Sequence, residues 1–377
     1  MKSSLRRPPS AGELGLWLPL PAILLAEVVW LTAYKRHFRM VDFDSLRSGA
    51  IAVLHGHSPY PPAVKSALLP AAHLVYPPLV AYVMAPFAFL PREVAGAIWF
   101  ALMFGCLLAV LAVLDVRDWR CYVVVFASYP VADTLTLGTL APVLALALAL
   151  VWRWRSRSVA AAIVLALAVV AKLFLWPLVV WLAATRRWRA AALTLLLSSV
   201  LFLVPFAPLG WTTLRSYPHL LSVLNRVFGP ASFSVHNALN GVGAHGTLAR
   251  ALTVLVGLSL CGAIVLLGRH ERDQQAFVLA ITTALVMSPI SWVHYYVLLL
   301  VPLAIARPRF SALWAAPLAY WALAVIGNPT RLVEVATALA ITAGIALGCM
   351  IAARAASGAG REEAMIEHPR AVTGTSS

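Results

Sequence analysis

Long apolar runs, separated by short polar breaks, recur along the chain from residue 14 to residue 353. A helix of ~20 mostly apolar residues is long enough to cross the hydrocarbon core of a bilayer. The first run, 14–34, is too long for the apolar part of a signal peptide, so we interpret it as a retained span. The pattern predicts an all-α, polytopic membrane protein with about twelve spans. These spans cover 14–34, 94–114, 120–137, 139–152, 159–171, 173–185, 190–208, 250–268, 275–290, 292–306, 310–326 and 332–353.

Two stretches depart from a simple series of spans. Residues 76–91 are apolar but short and contain four prolines, so we predict helices that lie at half depth or at the interface. Residues 159–185 have basic clusters at both ends and Lys172 in the middle, and a lysine at the centre of a bilayer costs about 2.5–3.5 kcal/mol. Two short helices that meet at Lys172 avoid this cost, and Pro177 helps to bend the chain. This hairpin places Lys172 at an outward apex.

Composition and charge support a membrane location and assign its sides. The chain is 62% hydrophobic and 11% charged, with a mean hydropathy of +0.86 and a net charge of +15. The arginines cluster in short connections, as they do in cytoplasmic loops, so the charge indicates orientation rather than nucleic-acid binding. Residues 35–93 and 209–249 are then extracytoplasmic, and both termini are cytoplasmic. One domain spans 1–353, and 354–377 is a polar tail that we expect to be disordered.

Polar side chains gather on the predicted outer side. Eight of the ten histidines lie there, together with Asp42 and Asp44 in the first outer segment. We expect residues 45–54 to form a short amphipathic helix on the membrane surface, which would hold these carboxylates in place. A carboxylate beside an apolar boundary has a raised pKa and suits general-base chemistry. The simpler alternative is that both aspartates face water or pair with Arg39 and Arg47.

Other polar residues also have two interpretations. Lys172 either extends its ammonium group to the interface or binds an anion such as a phosphate there. His294 begins an apolar run and either lies at the interface or borders the polar side chains gathered on the outer side. His55 and His57 are too few for a metal site, and the four cysteines have no paired spacing. The sequence therefore predicts neither a metal nor a cofactor.

Six motifs in order resemble the family 87 membrane glycosyltransferases, which use polyprenyl-phosphate mannose and belong to the C-type superfamily. The likeness covers about 250 residues and includes the first outer loop, "DF-x-x-L-x-x-G-A…L-x-G-x-S-P-Y" at 42–60. It continues through "YPPL…APFAFLP" at 76–91, "LGTLAPVLALALAL" at 137–150, "LALAVVAKLFLWPLVVWLAATRRWRAA" at 165–191, "HNALNG" at 236–241 and "SPISWVHYY" at 288–296.

The resemblance implies a C-type fold with its active site on the outer face of the cell membrane. It implies that Asp42 is the general base and that Lys172 binds the donor phosphate. Residues of the other motifs then contact substrate, and these are His294, Tyr60, Tyr76, His236 and Asn237. The implied partners are a polyprenyl-phosphate sugar, a lipid or glycan acceptor and the membrane lipids, without nucleic acid.

Three functional classes remain open on the sequence. The first is a transferase that moves a sugar, with mannose as the first candidate, to an envelope glycolipid or glycan. The second is a transporter or flippase of lipid-linked saccharides, whose sites usually lie near the middle of the bilayer. The third is a saccharide ligase. The outward position of the polar groups favours the transferase over the transporter, and the order of motifs typical of a ligase is not found in the sequence.

Overall fold

The computed structural model describes residues 40–62, 74–326 and 332–367, and these residues form helices without any strand. The predicted first span, 14–34, lies outside the described residues. We number the α-helices in chain order: α1 Val41–Leu54, α2 Pro78–Val83, α3 Ala85–Ala88, α4 Arg92–Val113, α5 Trp119–Ala127, α6 Tyr129–Leu137, α7 Ala141–Arg153, α8 Ser158–Ala171, α9 Pro177–Ala184, α10 Trp188–Leu203, α11 Trp211–Phe228, α12 Val235–Gly241, α13 Gly246–Arg269, α14 Asp273–Met287, α15 Leu300–Ala306, α16 Trp321–Ile326 and α17 Leu332–Glu367. Short 3₁₀ helices cover Leu173–Leu175, Val204–Leu209, Gly229–Ala231, Val293–Leu299 and Ala312–Tyr320.

Four of these helices are long and apolar enough to cross a bilayer by themselves: Arg92–Val113, Trp188–Leu209, Gly246–Arg269 and Leu332–Ala356. Several other apolar segments are shorter or broken. The predicted span 120–137 is two helices, because Ser128 is extended and Pro130 can begin a helix but cannot continue one. The predicted span 292–306 begins as a 3₁₀ helix before it becomes α15. The total of twelve spans therefore remains a prediction.

The chain reverses direction at Lys172, as the predicted hairpin requires. Lys172 is extended between α8 and a 3₁₀ turn. At the far ends, Arg155 precedes α8 and Arg187 follows α9, and both side chains bind the carboxylate of Asp273 at 3.2 and 2.7 Å. A straight helix from Arg155 to Arg187 would separate its two ends by about 48 Å. One carboxylate joins both ends only because the chain turns back at Lys172.

One sequence-based boundary was wrong. The surface helix predicted for 45–54 begins at Val41, and it buries Phe43, Leu46 and Ala50 in the core instead of lying on a surface. Both aspartates therefore lie inside its first turn, where the helix dipole favours negative charge. At the other end of the chain, α17 extends to Glu367, and the disorder predicted for the tail 354–377 stays a prediction. Ala, Glu and Arg in that stretch favour a helix.

Glycine at position 138 lets α1 pack closely on the end of α6. Gly138 has φ +72°, and a Cβ there would lie 2.9 Å from the Cβ of Phe43 and 3.2 Å from that of Met40. The Gly138 carbonyl also accepts a hydrogen bond of 2.9 Å from the buried Trp99 indole. This contact sets the start of α1, with Asp42, beside α6, which carries Asp133.

Candidate active site

Asp42 and Asp44 point in different directions although only one residue separates them. Each residue of an α-helix advances by 100°, so positions i and i+2 lie about 200° apart around the helix. Asp44 accepts two hydrogen bonds from Arg92, at 2.8 and 2.7 Å, and this pair is exposed to solvent. Arg47, its expected partner, instead donates to the carbonyls of Phe87 and Leu90. Arg39 lies outside the described residues.

Asp42 faces the interior, among charged groups from three other parts of the chain. Burial raises the pKa of the Asp42 carboxyl above its ordinary value, and the nearby Asp133 adds to this rise. His294 and Lys172 act in the opposite direction, because positive charge close to a carboxylate lowers its pKa. The structure therefore brings together Asp42, Lys172 and His294, three residues whose roles were predicted from widely separated motifs.

Two tyrosines hold the Lys172 side chain. Its Nζ lies 4.1 Å from the centre of the Tyr76 ring and 4.6 Å from that of Tyr295, which are cation–π distances. Nζ also donates a hydrogen bond to the Tyr295 hydroxyl. Among the described residues no carboxylate lies within salt-bridge distance of Lys172, so a bound anion could make that contact.

His294 is held on two sides and lies at the start of the 3₁₀ helix Val293–Leu299. Its Nδ1 lies 3.3 Å from Oδ2 of Asp133, and its backbone carbonyl accepts a 3.2 Å hydrogen bond from the Thr134 hydroxyl. The imidazole is buried, while Asp133 is about one quarter exposed. Within the described residues the buried Nε2 of His294 has no hydrogen-bond partner. A buried ring nitrogen without a partner is costly, so Nε2 is a candidate contact for a ligand.

The other predicted substrate-binding residues divide into two groups. Tyr76 lies at the site through its contact with Lys172, and Tyr60 supports it by donating a 2.9 Å hydrogen bond to the Tyr76 carbonyl. In contrast, the side chains of His236 and Asn237 on α12 form hydrogen bonds with residues of the neighbouring segments. His236 Nδ1 lies 3.1 Å from the Thr253 hydroxyl, and the Asn237 amide donates to the carbonyls of Pro230 and Ser232. The Asn237 bonds stabilise the turn before α12, the His236 contact joins α12 to α13, and neither contact involves Lys172.

Two residues at the site received no role from the sequence. Asp133 was assigned no role from the sequence, and Tyr295 stands only within the 288–296 motif that also contains His294. An acidic residue in an otherwise apolar stretch, "YPVADTL" at 129–135, is the signal that would have identified Asp133. Nothing in the local sequence links Tyr295 to Lys172, because 123 positions separate the two residues.

The arrangement combines two chemical abilities in one place. Asp42 is a carboxylate whose raised pKa makes it a stronger base than an ordinary aspartate. Lys172 presents an ammonium group next to it, and the imidazole of His294 is held by a second carboxylate. A site of this kind is suited to take a proton from one bound group while an adjacent anion is stabilised. Among the described residues no group of three or more His, Cys, Asp or Glu side chains is placed to hold a metal ion.

The chain matches the model of a known protein family. The family model described as glycosyltransferase family 87 matches residues 74–289, which is more than half of the chain. Tyr76, Asp133 and Lys172 lie inside the matched part, whereas Asp42 and His294 flank it. No curated protein and no solved structure gives a significant match to this chain.

Proposed function

The chain belongs to glycosyltransferase family 87, and on this premise we propose that it transfers a sugar from a polyprenyl-phosphate donor to an envelope glycolipid or glycan. Family membership makes the protein a glycosyltransferase, and its apolar helices make it a membrane protein. Our first candidate for the sugar is mannose. We further propose that the site faces the outer side of the cell membrane and that the transfer inverts the anomeric centre.

The observation that carries the proposal is the proximity of Asp42 to Lys172 and His294. A lipid-phosphate donor requires a cation for its phosphate and a base for the acceptor hydroxyl, with both next to the anomeric carbon. The electrostatic effect of Lys172 and His294 on the pKa of Asp42 indicates that these groups share one environment. The donor already carries its phosphate leaving group, so the reaction needs no nucleotide site.

In the proposed reaction the acceptor hydroxyl oxygen attacks the anomeric carbon from the face opposite the phosphate. A new glycosidic C–O bond forms while the bond from the anomeric carbon to the phosphate oxygen breaks. The hydroxyl proton passes to Asp42, and polyprenyl phosphate leaves with the electron pair. Lys172 neutralises the charge that develops on this phosphate, and Nε2 of His294 contacts the phosphate or the acceptor.

Transfer by the purified protein tests this proposal. The full chain is reconstituted in lipid vesicles with synthetic polyprenyl-phosphate mannose and an envelope lipid extract, and products are identified by mass spectrometry. We expect a new mannosylated lipid or glycan together with an equal amount of polyprenyl phosphate. Parallel donors with glucose and arabinose test the choice of sugar. Movement of the donor across the bilayer without any glycosylated product would instead support the transporter class.

A further inference from the structure

A second site lies at the opposite end of the molecule from Lys172. A cleft of about 720 Å³ opens beside the Asp273 carboxylate that joins the two ends of the Lys172 hairpin. Its walls come from the ends of α7 and α13, the start of α14 and the middle of α17, and Trp152, Arg272 and Arg354 are among the residues that line it. Clefts of 300–1,000 Å³ accommodate ligands of about the size of a phospholipid headgroup. The proposed sugar transfer does not use this cleft.

The cleft has an excess of positive charge. Asp273 is bound by both Arg155 and Arg187, at 3.2 and 2.7 Å, so its charge is already compensated. Glu271 is the second carboxylate in the lining. Within the described part of the chain, Arg272 and Arg354 make no ion pair, and both are exposed. Four arginines against two carboxylates leave two positive charges available for a negatively charged ligand.

Apolar side chains lead from the cleft along the helices that flank it. Leu347 and Ile351 precede Arg354 by seven and three positions on α17, so all three share one helix face. Leu347 and Ile351 are 59% and 60% exposed, and Leu266, one turn before the end of α13, is 58% exposed. On α17 an exposed apolar strip that ends in Arg354 matches the shape of a phospholipid, with an anionic headgroup at the arginine and acyl chains along the strip.

We propose that this cleft binds the headgroup of an anionic phospholipid in the leaflet on the arginine-rich side. The phosphate lies against Arg272 and Arg354, and the acyl chains follow Leu266, Leu347 and Ile351. A soluble anion would meet the same guanidinium groups but would leave the apolar strip without a partner. The combination of the strip and the charged cleft therefore favours a lipid.

Lipid-dependent stability of the purified full chain tests the inference. Protein in a non-ionic detergent is titrated with phosphatidylglycerol or phosphatidylcholine, or with soluble glycerol 3-phosphate, and Tm and the bound lipid in native mass spectra are measured. We expect phosphatidylglycerol to raise Tm and remain bound, with little effect of the other two. The double variant Arg272→Gln, Arg354→Gln should lose about tenfold or more in apparent affinity for phosphatidylglycerol.

A matched control distinguishes a specific binding site from non-specific electrostatic attraction. Arg215→Gln, Arg226→Gln removes the same charge from exposed positions on α11 and should bind phosphatidylglycerol like the wild type. An equal loss in both double variants, or no loss in the Arg272/Arg354 pair, would overturn the proposed site. An equal response to glycerol 3-phosphate would overturn the assignment to a lipid. Sugar transfer is measured separately, because its failure bears on the proposed function and not on this cleft.

Discussion

The Nδ1 atom of His294 lies 3.3 Å from the carboxylate of Asp133, although 161 positions separate them in the sequence. This contact joins the 3₁₀ helix Val293–Leu299 to α6 beside Asp42. It fixes the orientation of the imidazole and places a second negative charge near the proposed base. Asp133 therefore influences the site in two ways, through the orientation of His294 and through the pKa of Asp42.

A pair of aspartate variants tests the choice of base. Asp42→Asn keeps the size of the side chain but cannot accept the proton, so kcat should fall by about 10²–10⁴-fold. Asp44→Asn should retain most of the activity, because Asp44 makes an exposed ion pair with Arg92 on another side of α1. Sugar transfer by purified variants is measured alongside expression and Tm. A fully active Asp42→Asn variant would show that another group takes the proton.

Removal of the Lys172 charge should weaken donor binding. In Lys172→Met, the donor phosphate loses its cation, so KM for the polyprenyl-phosphate sugar should rise strongly. Lys172→Arg keeps the charge, but the planar guanidinium group does not reproduce the contacts with Tyr76 and Tyr295 and should restore activity only in part. Initial rates at varied donor concentration measure both effects. Unchanged donor kinetics in the Met variant would exclude the phosphate-binding role.

The pH profile distinguishes Lys172 from Asp133 by the sign of their effects. Asp42 must be ionised to act, so kcat/KM should rise with pH through a pKa above about 4, the ordinary value for a carboxyl group. Lys172 lowers this pKa, and Lys172→Met should therefore move the acid limb to higher pH. Asp133 raises it, and Asp133→Asn should move the limb to lower pH. Shifts in the same direction would contradict the electrostatic arrangement described above.

Asp133 and His294 should behave as one unit in a double-mutant cycle. If Asp133 acts by holding His294, then Asp133→Asn and His294→Ala each lower kcat/KM, and the double variant is little worse than His294→Ala alone. Independent roles would instead give a double variant whose loss is the product of the two single losses. Tm of each variant shows whether a loss of activity comes from unfolding.

Asp118 should contribute more to stability than its neighbour Asp115. Buried Asp118 is the N-cap residue of α5. Its carboxylate binds the Arg120 guanidinium group at 3.0 Å and accepts a hydrogen bond from the Phe310 backbone N–H. Asp118→Ala should lower the free energy of unfolding by about 2 kcal/mol. Asp115→Asn is the control, because the Asp115–Arg153 pair is exposed and 3.8 Å long, and it should cost less than about 1 kcal/mol.

The pH dependence of this stability has a definite sign. Hydrogen bonds from Arg120 hold the pKa of Asp118 below its ordinary value. The contribution of Asp118 is therefore present above the unfolded-state pKa of about 4 and is lost as the pH falls through the lower folded-state value. Thermal unfolding in detergent at several pH values measures both effects. Equal losses in the Asp118 and Asp115 variants would contradict the difference in burial.

Labelling of single cysteines tests the predicted orientation. The background carries Cys106→Ala and Cys261→Ala, since Cys121 and Cys349 are buried. Ser222→Cys on α11 should react with an impermeant maleimide added to intact cells, because 209–249 is predicted to be extracytoplasmic. Ser156→Cys, in the "RWRSR" cluster, should react only after permeabilisation. Both serines are exposed, so a difference reports the side of the membrane. Reaction of Ser156→Cys from outside would reverse the predicted orientation.

The sequence by itself determined the features that depend on local composition. Apolar runs predicted the helical membrane fold. The free-energy cost of placing Lys172 at the centre of a bilayer predicted a reversal of the chain, and the Arg155–Asp273–Arg187 contacts show that reversal. The motifs also pointed to glycosyltransferase family 87, to which the chain belongs. Hydropathy and charge act residue by residue along the chain, and a linear sequence contains that information directly.

Only the tertiary structure decided which groups meet. Asp42 and Asp44 look equivalent in the sequence, but both lie on α1, where positions i and i+2 are about 200° apart around the helix. Asp42 therefore points inward, while Asp44 pairs with Arg92. The close approach at Gly138 then brings Asp42 to Asp133, which the sequence had left without a role. Helix register and packing across more than a hundred residues set these contacts, and neither is encoded in any local pattern.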